Sequence, residues 1–140
     1  MRLFRLGVDL LIAAICAGLV AGFLTGLLIS FVAIGLAAFF TPATLFFALF
    51  GTVYGLLFAG PAALLLGALL WVSKLRHWLA WAGAGALTGL VYWFFMWRAA
   101  DGPVTSETLP LAAVQLVSGA CTALVFRVVM QTLRANTDDF

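Results

Sequence analysis

No charged side chain occurs between residues 10 and 73 of this 140-residue chain. One spanning helix needs only about 20 apolar residues, at ~1.5 Å rise each, to cross ~30 Å of hydrocarbon. The stretch is therefore long enough for two crossings and must turn between them. Two more uncharged stretches, 78–97 and 108–126, each have the length of one crossing. Composition leads the same way, with 66% apolar and 9% charged residues, where a soluble domain carries about 25% charged. Seven basic and five acidic residues cannot cover a water-soluble surface of this size. A soluble enzyme, a nucleic-acid binder and a disordered tail are all excluded. A net charge of +2 offers no basic stripe for a polyanion. The chain reads as an all-α integral membrane protein.

Proline marks two places where the long stretch can turn, Thr41-Pro42 and Gly60-Pro61. Proline removes a backbone donor and disfavours helix at the residue before it. A turn at Thr41-Pro42 leaves two full spans. A second turn at Gly60-Pro61 would leave a remnant too short to cross, so Pro61 reads as a kink, which membrane helices tolerate. The expectation is one membrane domain, 1–140, with spans at about 10–38, 43–70, 78–97 and 110–130. An outer loop covers 99–109 and a polar tail 131–140. The first span is over-long, which tilt, a bend near Gly35 or protrusion from the membrane would absorb.

Four spans put Arg2, Arg5, Lys74, Arg76, Arg127 and Arg134 on one side and only Arg98 on the other. Basic residues favour the cytoplasmic side. The expected arrangement is a four-transmembrane-helix bundle of up-down topology with both termini cytoplasmic. Trp71, Trp78 and Trp81 flank the inner loop at Lys74, Arg76 and His77, while Tyr92, Trp93 and Trp97 lie near the outer end of the third span. All six read as interfacial anchors. The basic start followed by an apolar run is too long for a signal peptide, so the first span reads as an uncleaved anchor.

Small residues spaced by four recur: Gly18, Gly22 and Gly26 in the first span, Gly51 and Gly55 in the second, Gly85 and Gly89 in the third. Such spacing puts them on one face, where missing side chains let two backbones approach. They are the candidate packing residues, inside the bundle in preference to another chain, while Leu24 reads as lipid-facing.

Chemistry-bearing residues are few. No carboxylate lies in mid-span to load a proton or sodium ion, and no catalytic or phosphate-binding motif occurs. Cys16 and Cys121 fall in different spans with no other ligand type near, and read as packing residues. His77 reads as interfacial. No catalytic residue, cofactor or metal is expected. Gln115, Ser118 and Thr122 share a face of the fourth span and could form a polar crevice, answered by Thr25, Thr52 and Thr88. Asp9 and Arg127 lie at the inner boundary of the first and fourth spans and are a candidate ion pair. The functional expectation is a non-enzymatic accessory, assembly or structural subunit of a bacterial-type inner-membrane complex. The alternative is a small oligomeric transporter or channel for a neutral or lipophilic solute. Partners would be membrane lipids and another membrane protein or a second copy, with no nucleic acid.

Overall fold

The computed structural model describes residues 2–35, 41–74, 77–99, 105 and 108–138. All regular structure among them is helical: α1 (Arg2–Ile34), α2 (Pro42–Tyr54), a π-helical turn (Gly55–Ala59), α3 (Gly60–Val72), α4 (Trp78–Ala99) and α5 (Leu109–Asp138). Joined through the π turn, α2 and α3 form one continuous second span. Four helical stretches are long and apolar enough to cross a membrane.

Helix ends follow from local chemistry. α1 stops where Gly35 turns left-handed at φ +80°, a conformation that costs glycine nothing, and its N–H still reaches the Phe31 carbonyl at 2.9 Å. The first span therefore ends four residues before the expected 38. At its other end it begins at Arg2 instead of residue 10, because Leu6 and Leu10 pack onto the core and extend the helix. Pro42 opens α2, where its missing donor is not needed. Thr108 precedes α5: its carbonyl accepts from the Leu111 and Ala112 N–H groups at 3.1 and 3.3 Å. α5 then runs on through the expected tail to Asp138. Gln131–Asp138 holds no Gly or Pro, and Ala, Leu, Arg and Gln favour helix. Residues 36–38, Arg76 and most of the expected outer loop, with Asp101 and Glu107, lie outside the described residues.

The expected kink at Pro61 takes the form of a wide turn just ahead of it. Pro61 cannot donate to the Leu57 carbonyl as an α-helix requires. The Gly60 N–H instead reaches back five residues to the Gly55 carbonyl, absorbing one extra residue.

Two glycine seams organise the packing. Along the first, α1 lies against the second span in antiparallel register, Gly18 beside Gly55 and Gly60, Gly22 beside Gly51 and Thr52, Gly26 beside Phe47 and Ala48. A Cβ at Gly55 would stand 2.5 Å from the Gly18 carbonyl oxygen, and one at Gly51 3.0 Å from the Gly26 Cα. Only glycine permits that approach. Along the second seam, Gly85 and Gly89 of α4 meet Gly119 and the Gln115 backbone of α5. α1 also packs on α5, so the order around the bundle is second span, α1, α5, α4. The circuit is not closed: α4 barely touches the second span. Leu24, expected to face lipid, is half-buried, beside Thr52 in a shallow hollow between α1 and α2.

Candidate functional site

Because the two seams hold their helices in pairs, a space remains between the pairs. It is a crevice of about 130 Å³ walled by all four spans. Its two ends differ in chemistry. Toward one lie Leu70, Trp81 and Phe126, with the Trp81 and Phe126 rings stacked at 6.2 Å. Phe126 reaches across to Gly67, whose absent side chain makes room for the ring. Toward the other end stand Tyr54, Tyr92, Gln115 and Ser118, with Thr25, Thr88 and Thr122 also in the lining. The Tyr54 and Tyr92 hydroxyls are in hydrogen-bond contact, bridging the second span and α4 where the helices themselves hardly meet.

Two aromatic residues expected at the interface are turned inward. Trp81 is 1% exposed and belongs to the core cluster. Tyr92 lines the crevice. Placement near a loop in sequence does not decide which way a ring faces; both sit on the side of α4 that carries Gly85 and Gly89 and so point at the neighbouring helices. Of the others, Trp78 is exposed, whereas Trp93, stacked on Trp97 at 6.3 Å along α4, is half-buried and its Nε1 is buried without a partner. Trp71 is half-buried and holds the Arg134 guanidinium 4.4 Å above its ring, a cation–π contact between the ends of α3 and α5.

Of the polar residues expected to form a crevice, Gln115, Ser118 and Thr122 all line it, and Thr25 and Thr88 answer them. Thr52 does not: it donates to the Ala48 carbonyl at 2.8 Å and belongs to the hollow beside Leu24. Thr88 and Thr122 likewise donate to carbonyls four residues back, at 2.8 and 2.6 Å. That self-bonding is common for hydroxyls in helices. Ser118 is different. It is 3% exposed and its Oγ has no hydrogen-bond partner.

The remaining candidates lie elsewhere. His77 precedes α4, where its Nδ1 accepts the Leu79 N–H at 3.4 Å, so the ring works as a helix cap. Cys16 and Cys121 are free and half-buried. Among the described residues, no three of His, Cys, Asp and Glu come together as a metal site would need. Asp9 and Arg127 are each half-buried on helices that pack together. Leu10, beside Asp9, packs against the core cluster to which Phe126, beside Arg127, belongs. A cycle of Asp9→Asn and Arg127→Gln is expected to show coupling of about 0.5 kcal/mol or more in unfolding free energy. Strict additivity would leave each charge with a local partner.

Sequence reasoning did not single out Gly119, Gly67 or Tyr54. Gly119 and Ala123 are themselves small residues four apart, as are Ala63 and Gly67, so the pattern was present with alanine in one position. Nothing local marked Tyr54, whose role comes from a residue on another span. No family model, curated protein or solved structure matches this chain.

Proposed function

We propose that this chain is a small, non-enzymatic, multi-pass protein of a bacterial-type inner membrane, with up-down topology and both termini cytoplasmic. Its bundle holds a neutral, lipophilic solute in the central crevice, as the binding unit of a small transporter. One observation carries the reading: a cavity shared by all four spans whose lining, among the described residues, contains no carboxylate, amine, guanidinium or imidazole, yet buries a hydroxyl with no partner. A charged solute there would lose its hydration with nothing to replace it. A neutral one keeps its dispersion contacts and finds a hydrogen bond.

The test is thermal stability of the protein in lipid nanodiscs. Small neutral alcohols and phenols are expected to raise the melting temperature in a saturable way, since a ligand bound only by the folded state stabilises it. Carboxylates of the same size should not, and the shift should vanish in Ala63→Leu, which fills the crevice. If no neutral compound stabilises the wild-type protein more than the filled variant, the reading falls.

The expectation of an accessory subunit has its own observation. α2 presents Leu45, Phe46, Leu49, Phe50 and Val53 outward, with the Phe46 and Phe50 rings stacked at 6.2 Å. Lipid serves such a face as well as a partner helix does, so the crevice carries more weight. Purification in mild detergent separates the readings: a stoichiometric foreign protein supports the subunit, a homogeneous homo-oligomer the transporter.

A further inference from the structure

Among the described residues two buried serines, Ser30 and Ser118, have an Oγ with no hydrogen-bond partner, and of the two only Ser118 lines the crevice. Thr52, Thr88, Thr122 and Thr132 each donate to their own helix, whereas the buried Ser118 Oγ bonds to nothing. Leaving a buried hydroxyl unmatched is costly, and a hydrogen-bonding occupant would remove that cost. The occupant must also suit the gradient along the crevice. From Ser118 to Phe126 is a rise of ~12 Å, passing from hydroxyls and an amide to the stacked Trp81 and Phe126 rings. The volume of about 130 Å³ is near that of a cavity that takes up one benzene. A two-chain lipid cannot fit inside it. A slender molecule can enter in part, provided that the rest has a way out to lipid, and the loose seam between α4 and the second span is that way.

We propose that the crevice takes a single-chain amphiphile with an uncharged hydroxyl head, drawn sideways from the bilayer between α4 and the second span. This rests on the binding role proposed above. The head hydrogen-bonds to Ser118, and the first part of the chain lies toward Trp81 and Phe126 with its remainder in the seam. The Tyr54–Tyr92 contact crosses the seam beside the polar end, so it acts as a latch that parts to admit the head.

Trp81 is placed to report on the chain. In a protein carrying Trp81 as its only tryptophan (Trp71, Trp78, Trp93 and Trp97 each changed to Phe), reconstituted in phosphatidylcholine nanodiscs, terminally brominated undecanol is expected to quench the fluorescence saturably. Bromoundecane, which lacks the head, should bind about 3–10-fold more weakly, the loss expected for one hydrogen bond. Ser118→Ala should weaken the alcohol by the same factor and leave the alkane unchanged, with melting temperatures confirming that both proteins are folded. Tyr92→Phe should speed both onset and release of quenching. Equal binding of alcohol and alkane, unaffected by Ser118→Ala, would overturn the assignment of the head while leaving a lipophilic crevice intact. Absence of saturable quenching by either probe would overturn the binding role as well.

Discussion

Gly22→Leu is expected to take the bundle apart, with a loss of more than about 3 kcal/mol in unfolding free energy, at or above the usual range for overpacking. At Gly22 even a single added carbon would run into the Gly51 carbonyl and lie 2.7 Å from the Thr52 Cα. Both are backbone atoms, which cannot rotate aside as a flexible side chain does. The first seam would have to open along its length, because Gly18 and Gly26 touch the second span on either side. Leu57→Ala is the comparison, since Leu57 is 65% exposed on the second span and should cost no more than about 0.5 kcal/mol. Denaturation in nanodiscs checks both. Similar losses would mean that the α1 face is turned to lipid.

The proposed orientation makes an all-or-none prediction. In a protein with Cys16 and Cys121 replaced by alanine, Thr105→Cys is expected to react with a membrane-impermeant maleimide in intact cells, because Thr105 is exposed at the end of α5 opposite Arg134. Asn136→Cys should react only after lysis. The reason is the distribution of basic residues, which cluster at the other end of the spans. Labelling of Asn136→Cys in sealed cells would reverse the orientation.

The number of spans could be read from the sequence because charge is so costly in hydrocarbon that its absence alone draws the map. Ends were harder. Gln131–Asp138 is polar, and polarity says where a helix leaves the membrane, not where it stops being a helix; α5 continues because nothing in that stretch breaks it. Trp81 and Tyr92 show the matching limit for side chains. An amphipathic ring near a span end is at home either at the headgroups or in a core with a polar partner, and only the neighbouring helices decide. The crevice was half-legible: Gln115, Ser118 and Thr122 announced a polar face, but its apolar end and its latch depend on residues of other spans.

The wide turn at Gly55–Ala59 has a counting consequence. Thr44, Ala48 and, at the first residue of the turn, Gly55 are buried on one side of it, and Gly60, Ala63, Gly67 and Leu70 on the other. On an unbroken α-helix those two sets would be out of phase by one residue, or about 100°. The extra residue in the turn restores the phase, so one continuous stripe meets the rest of the bundle. The stripe is therefore continuous only while the width of the turn matches the number of residues it holds. Deleting one residue from the turn would let it straighten to α-helix with Ala63, Gly67 and Leu70 still facing the crevice, whereas straightening it with every residue kept would swing all three about 100° out of the wall together.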